Sequence, residues 1–155
     1  MPAPTARSSV PSRRAIVAAL CALPFAARAQ AQSPEAFLHS IYDPYLKTDF
    51  RGQPYWQVDR FFEPTLAGIS EMRKAKARGE VPKLDGDPFL DAQEWDIKNL
   101  VITVKADGAR ATGEVSFDNF DKRTRIILDL VKTLPGWRIA GIKGPSGSLN
   151  DLYKK

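Results

Sequence analysis

Cysteine and histidine are almost absent from this chain of 155 residues, which has only Cys21 and His39 of these two types. A lone cysteine cannot form a disulfide within the chain, and a lone histidine excludes most histidine-based metal sites. The sequence also lacks a phosphate-binding glycine loop, a G-x-S-x-G nucleophile motif and an H-E-x-x-H zinc motif. These absences favour a binding protein over an enzyme, and we expect neither a metal nor a cofactor.

Residues 1–31 have the features of a secretory signal peptide. Three arginines and no acid precede residue 15, residues 15–27 are mostly apolar, and Ala29-Gln30-Ala31 offers small residues before a cleavage site. The apolar stretch of about 13 residues is shorter than the ~20 that a membrane-spanning helix needs. We therefore expect cleavage near Ala31-Gln32, a periplasmic or secreted protein, and no transmembrane helix in the mature chain.

Two other interpretations of this segment are weaker. Arg13-Arg14 partly resembles a twin-arginine signal, but the usual aromatic residue and lysine are missing, so we favour the general secretory route. A buried N-terminal helix is the other alternative, and Pro24 in the middle of the apolar stretch disfavours it.

The signal segment also accounts for the basic character of the chain. The whole sequence has 23 basic and 18 acidic side chains, and its net charge is +5. Four of the basic side chains and none of the acidic ones lie in residues 1–31, which leaves the mature chain at +1. A nearly neutral chain gives no reason to expect nucleic-acid binding.

The first half of the mature chain has the pattern of helices. Ser33-Pro34-Glu35 is a typical helix start, with an N-cap serine, a proline in the first turn and an acid near the positive end of the helix dipole. Pro44 predicts a kink or an end in this helix. A short helix is expected near Val58, and a longer one from Pro64 to about Arg78.

The second half changes to the alternation that is typical of strands. Four runs of strand length are joined by short turns: Asn99–Lys105, Ala111–Phe117, Thr124–Val131 and Trp137–Ile142. Short connections make neighbouring strands antiparallel, so we expect a four-stranded meander with helices on one face. This predicts a single α+β domain over residues 32–146, followed by a C-terminal tail, residues 147–155.

His39 and Asp43 are the first candidate catalytic pair, four residues apart on the first helix. A carboxylate that orients an imidazole is the usual arrangement of a general base. The alternative, which we favour, is an exposed helix pair that contributes a few tenths of a kcal/mol.

Asp87 is the other candidate, within an acidic stretch that resembles a calcium loop. The calcium spacing fails, because Phe89 and Leu90 occupy positions where a ligand and a glycine are needed. Asp87 before Pro88 is typical of a turn. The alternative is a carboxylate directed into a cavity between the helices and the sheet.

Several motifs of the mature chain together resemble a known family. They are Leu84–Trp95, Ala111–Phe117, Leu130-Val131-Lys132 and Gly136-Trp137-Arg138-Ile139. With the opening helix, Ser33–Tyr45, they are similar to the bacterial family of the domain of unknown function 3828. One departure is Ala140-Gly141, where relatives tend to carry an acid, which puts in doubt any family site that uses that acid.

The resemblance implies a fold and a place for a site. Such proteins look like members of the nuclear-transport-factor-two-like superfamily, in which a curved, cone-shaped, cystatin-like sheet wraps around helices, as in ketosteroid isomerase. A conical cavity is then the expected binding site. The candidate wall residues are Tyr42, Tyr45, Trp56, Asp87 and Gln93.

The leading hypothesis is therefore an exported cell-envelope protein that binds a small molecule or another envelope protein, as a monomer or a homodimer. The alternative is a cavity enzyme, an isomerase or dehydratase that transfers protons through His39 or Asp87, since enzymes of the superfamily place such a residue deep in the cavity. A third hypothesis is a structural or inhibitory module that docks through a sheet edge or through the basic turn, residues 73–78.

Overall fold

The chain has an α+β fold in which short helices pack on one face of an antiparallel sheet. The computed structural model describes residues 32–55, 57–80 and 86–152. The expected signal peptide, residues 1–31, therefore lies outside the described residues, as do Trp56, residues 81–85 and residues 153–155 of the expected tail.

The helices are short and come mainly from the first half of the chain. They are α1 (Pro34–Tyr42), a 3₁₀ turn (Asp43–Leu46), α2 (Val58–Phe61), α3 (Ala67–Ala77) and α4 (Leu149–Leu152). The predicted start of α1 is confirmed, because the Ser33 hydroxyl accepts a hydrogen bond of 3.0 Å from the Ala36 amide. The predicted change at Pro44 is confirmed as well, since α1 gives way there to the 3₁₀ turn.

The strands form one open sheet in the order β1-β2-β3-β4-β5. Their bounds are Ile97–Asp107, Arg110–Asn119, Lys122–Thr133, Gly136–Gly144 and Gly147–Ser148. The four predicted strands are all present as an antiparallel meander. The predicted number of strands is wrong, because the chain turns back after β4 and adds the two-residue β5. Residues 147–152, which we expected in the tail, thus form β5 and α4.

One face of the sheet is buried under the helices and carries most of the core. On β3 the predicted alternation is confirmed, because Ile126, Leu128 and Leu130 are no more than 2% exposed. We call the opposite side, which carries residues such as Arg125 and Asp129, the outer face. Helix α1 packs closely on the buried face, where a Cβ atom at Gly113 would overlap the Leu38 side chain.

The segment after α2 closes the sheet edge at β4. Phe62 forms a parallel bridge with Ile139, and the Glu63 amide donates a hydrogen bond of 2.8 Å to the Ile139 carbonyl. Phe62 is buried, which anchors this contact in the core. This contact satisfies the Ile139 carbonyl in the middle of β4, and β5 pairs with the end of the strand.

The turn formed by residues 86–92 inserts into the space between the helices and the sheet. Asp87 and Ala92 pair across it, and Gly86 adopts a φ of 113° that favours glycine. Phe89 and Leu90 project from the turn and are at most 1% exposed. The Phe89 ring contacts Tyr42, Phe61 and Phe62, so one turn links α1, α2 and the closed sheet edge.

No helix among the described residues combines the length and the apolar character required to cross a membrane.

We predict that Gly113→Ala destabilises the protein by about 1–3 kcal/mol, because the new methyl group overpacks the contact with Leu38. In a Leu38→Val background, which removes the overlapping Cδ1 atom, the same substitution should have a clearly smaller effect. The measurement is the free energy of unfolding in urea for the four proteins of this cycle. Equal effects of Gly113→Ala in the two backgrounds would show that this contact does not set the distance between helix and sheet.

Candidate functional site

Tyr45 and Asp87 form a buried polar link between the 3₁₀ turn and the inserted turn. The Tyr45 hydroxyl donates a hydrogen bond to Asp87 Oδ2, and the Phe89 amide donates one of 2.9 Å to Asp87 Oδ1. The Gln53 amide donates to the Tyr45 hydroxyl at 3.2 Å. Tyr45 is 3% exposed and Asp87 is 6% exposed. Both carboxylate oxygens of Asp87 thus have partners within the protein.

Burial raises the pKa values of both side chains in this link. Loss of solvation raises the pKa of the Asp87 carboxyl from 3.8 to about 6, while the hydrogen bonds from Tyr45 and Phe89 act in the opposite direction. Burial, and then the nearby Asp87 carboxylate, raise the pKa of the Tyr45 hydroxyl above its usual value of 10.0. The tyrosine consequently stays a hydrogen-bond donor, and Asp87 changes its charge in mildly acidic solution.

Tyr42 lies beside this link without joining it. Its side chain is 1% exposed, and burial followed by the charge of Asp87 raises the pKa of its hydroxyl. No described residue forms a hydrogen bond with the Tyr42 hydroxyl. A buried hydroxyl without a partner is unfavourable, so Tyr42 contributes to the fold through its ring alone.

The aromatic residues that we expected to line a cavity pack against one another. The Tyr45 ring meets Trp95 edge-to-face with centroids 5.5 Å apart, and it meets Phe50 in the same way at 5.0 Å. Tyr42 makes a similar contact with Phe89 at 6.4 Å. Such rings stabilise a core through contact area and edge-to-face geometry. Tyr42, Tyr45 and Asp87, which we predicted to line a cavity, are thus brought together. They lie inside a packed aromatic cluster.

Two other predicted site residues form a pair on the protein surface. His39 Nδ1 and Asp43 Oδ1 are 2.9 Å apart, and the two side chains are 47% and 54% exposed, so they form a surface pair between α1 and the start of the 3₁₀ turn. Gln93 is exposed, and Trp56 lies outside the described residues.

Two acids of the stretch that resembles a calcium loop have structural partners. Asp91 accepts a hydrogen bond of 2.7 Å from the Ser146 amide, and Asp96 pairs with Lys98 at 2.7 Å. Within the part of the chain that the structure describes, no three side chains of His, Cys, Asp or Glu come together as they would around a metal ion.

Two neighbouring hollows lie on the outer face, near the β1–β2 and β3–β4 turns. The larger, of about 680 Å³, runs from the closed edge at β4 across β3 to Arg110. The smaller, of about 400 Å³, continues from Arg110 across β2 to β1. Arg110 and Ala140 line both hollows, which together form what we call the outer trough. Its lining also includes the charged residues Glu63, Lys105, Asp107 and Asp129, together with Thr112, Val131, Thr133 and Asn150.

Charges in the outer trough differ from those on the rest of the outer face. Away from the trough, Arg125 pairs with Glu114 at 2.5 Å and Arg123 pairs with Asp118 at 3.1 Å. Within the trough, Glu63 accepts a hydrogen bond of 2.9 Å from the Thr65 amide. The other charged side chains of the lining form no ion pair or hydrogen bond with any described residue; they are Lys105, Asp107, Arg110 and Asp129. The trough thus offers two cationic groups, on Lys105 and Arg110, and two anionic groups, on Asp107 and Asp129, to a ligand.

The sequence pattern did not identify the trough. Alternation places Asp129 and Val131 on the side of β3 opposite the core, but it does not show which outward charges find partners. That depends on the register between strands, in which Thr112 lies opposite Asp129 and Arg110 opposite Val131. The tight turns in the sequence set this register. They are therefore the signal from which the unpaired outward charges could have been found.

Comparison with protein-family models, with curated proteins and with solved structures found no match to this chain. The resemblance to family 3828 stays a prediction, and the function is argued from the geometry of the described residues.

We predict that Asp87→Asn changes how stability depends on pH. The folded pKa of Asp87 lies above its ordinary value, so between about pH 4 and pH 6 the folded protein binds more protons than the unfolded chain. The contribution of Asp87 to stability therefore decreases as the pH rises through this window, by about 2–3 kcal/mol. The stability of Asp87→Asn relative to the unmodified protein should rise by that amount from pH 4 to pH 7, measured by urea unfolding.

Asp129→Asn is the matched control, because its side chain is exposed. If the two substitutions showed the same dependence on pH, the buried position of Asp87 would not be the cause.

We predict opposite outcomes for the two buried tyrosines. Tyr45→Phe should destabilise the protein by about 1–3 kcal/mol near pH 7, because it leaves one Asp87 oxygen without its donor. Tyr42→Phe should be neutral or stabilising, because the hydroxyl it removes has no described partner. Both are measured as free energies of unfolding at the same pH. A larger loss for Tyr42→Phe than for Tyr45→Phe would contradict this assignment.

Proposed function

We propose that this protein is an exported binding protein of the bacterial cell envelope, and that the outer trough holds a small molecule bearing an acidic and a basic group. The observation that carries this proposal is the contrast in charge pairing on the outer face. Four unpaired charges lie together where the surface is hollow, whereas the rest of the same face has two ion pairs beside the unpaired Lys143.

The register of the strands places opposite charges at ligand-sized separations. Lys105 lies opposite Thr112, and Thr112 lies opposite Asp129, which forms a row across three strands. Arg110 occupies the next outward position along β2. Arg110 and Asp129 are diagonal neighbours on one face of the sheet, with about 7–8 Å between their backbone positions, so both side chains can reach one small ligand. An anionic group would bind near Arg110 and a cationic group near Asp129.

The walls of the trough suit a ligand with an apolar body and polar ends. Val131 and Ala140 provide apolar surface, and Thr112 offers a hydroxyl group. The Thr133 hydroxyl donates to the Gly136 carbonyl at 2.7 Å and is left as an acceptor. Its larger hollow, at about 680 Å³, lies within the ~300–1,000 Å³ typical of small-molecule sites.

The expected signal peptide supports a location in the periplasm or outside the cell.

The family resemblance supports the finer description of the fold as a curved, cystatin-like sheet of the nuclear-transport-factor-two-like type. In that fold the expected cavity lies between the sheet and the helices. Here the aromatic cluster around Phe89 packs in that region, which is our reason for placing the ligand on the outer face instead.

A proton-transfer enzyme is the second candidate, and the raised pKa of Asp87, to about 6, favours it. A catalytic base also needs an oxygen within reach of the substrate. Both oxygens of Asp87 accept hydrogen bonds from Tyr45 and Phe89, and His39 lies on the surface with Asp43. Binding therefore accounts for the geometry better than catalysis does.

We predict that the protein isolated from the envelope fraction of its own cells carries a small molecule, seen as added mass by native mass spectrometry. Arg110→Ala and Asp129→Asn should each reduce the occupied fraction at least about tenfold, since each removes a charge-assisted contact. Arg125→Ala is the matched control, because that cation lies on the same face but pairs with Glu114. Equal losses from Arg110→Ala and Arg125→Ala would exclude the trough as the site.

The same spectra test export separately, because cleavage near Ala31-Gln32 would remove the first 31 residues from the measured mass. A full-length protein in the cytosolic fraction would exclude the envelope location and leave the trough to be judged on its own variants.

A further inference from the structure

The two edges of the sheet differ in how their backbone groups are satisfied. At the β4 edge, Phe62 and Glu63 cover the middle of the strand, and β5 pairs with its end. At the other edge, β1 pairs with β2 alone among the described strands. The sheet therefore has one closed edge and one edge whose hydrogen-bonding groups face outward.

The open edge is long and carries little protection against pairing. β1 has 11 residues, and its central Val101-Ile102-Thr103-Val104 contains neither a charge nor a proline. Natural edge strands are usually short, charged or interrupted. A bulge near Asn99, which has a φ of 50°, interrupts only the beginning of β1. The regular part from Val101 onward remains a template for another strand.

Side chains on this edge are also less covered than the rest of the core. Val101 is 52% exposed on the outer face. Leu100, Ile102 and Val104 face the helices but are only partly buried, although they pack against the core cluster. A strand added beside β1 would cover these three side chains further and bury apolar area.

The turn at the end of β1 decides which backbone groups are free. Asp107 and Arg110 flank a two-residue turn, so they form a hydrogen-bonded pair. Hydrogen-bonded pairs then alternate along the strands, and Lys105, Thr103 and Val101 also direct their backbone groups toward β2. The amide and carbonyl groups of Ile102 and Val104 consequently point away from the sheet.

We propose that β1 of a second copy of this chain occupies the open edge, antiparallel to the first and centred on Ile102. In this arrangement the residues with free backbone groups meet, as Ile102 with Ile102 and Leu100 with Val104. Val101 faces Thr103 of the other copy in the intervening pairs. The two sheets join into one continuous sheet around a two-fold axis.

Self-complementarity selects a second copy as the occupant. Centring on Ile102 keeps each strand in step with the pleat, so the side chains that face the helices in one copy continue the helix-facing side of the other. Lys105 of each copy then lies opposite Asn99 of the other, beyond the uncharged centre. No like charges directly oppose each other in the regular part of the pair.

The test introduces charges at Val101 and Thr103, because residue 101 of one copy faces residue 103 of the other. In V101K/T103K each new lysine opposes a lysine of the other copy, so the dimer should weaken at least about tenfold. In V101K/T103E each lysine opposes a glutamate, so dimerisation should return. The full chain is expressed, the purified protein is studied by sedimentation equilibrium over a range of concentrations, and circular dichroism checks folding.

Ser116→Lys is the matched control, because Ser116 lies beside Val101 on the outer face but on β2, away from the edge. It should leave the dissociation constant unchanged within about threefold. An unmodified protein that stays monomeric at its highest soluble concentration would overturn the proposal, and so would a dimer that V101K/T103K does not weaken. Failure of V101K/T103E to restore the dimer would overturn the antiparallel register centred on Ile102.

Discussion

Insertion of the 86–92 turn into the core is the constraint on which the rest of the structure depends. The helices of this protein are 4 to 11 residues long, too short to be stable in isolation. Phe89 supplies the surface against which α1, α2 and the closed sheet edge pack together. The turn is held in place by a buried carboxylate, whose two oxygens accept hydrogen bonds from Tyr45 and from the Phe89 amide.

This constraint also explains why the candidate site lies on the outer face. Once Phe89 and the neighbouring rings pack between sheet and helices, the polar groups there serve one another. Asp87 has a raised pKa, which in a cleft would be a functional signal, but burial within a satisfied network produces the same shift. On the outer face Arg138 donates a hydrogen bond to the Asp59 carbonyl of α2, and the strand register decides which of the other charges pair. Lys105, Arg110 and Asp129 are left to solvent or to a ligand.

The two sides and two edges of the sheet thus have different roles. The helix-facing side is committed to the core, and the β4 edge is committed to Phe62 and β5. The outer trough and the β1 edge are the parts with unsatisfied charge or backbone groups. Lys105 belongs to both regions, because it lines the trough and lies on β1. Arg110 and Asp129 lie on β2 and β3, so a ligand held by them does not require a second copy at the edge.

Local chemistry in the sequence was sufficient to predict α1, the four strands of the meander and their order. The Ser33 cap, the break at Pro44 and the alternation on β3 each depend on residues a few positions apart, so periodicity and turn chemistry predicted them. The hydrogen bond between Tyr45 and Asp87, which are 42 positions apart, and the bridge between Phe62 and Ile139 depend on how the whole chain packs. The same holds for the fifth strand and for the unpaired state of Arg110 and Asp129. Local propensities depend on residues a few positions apart. The burial of a side chain and its pairing with another depend on how distant segments of the chain pack together.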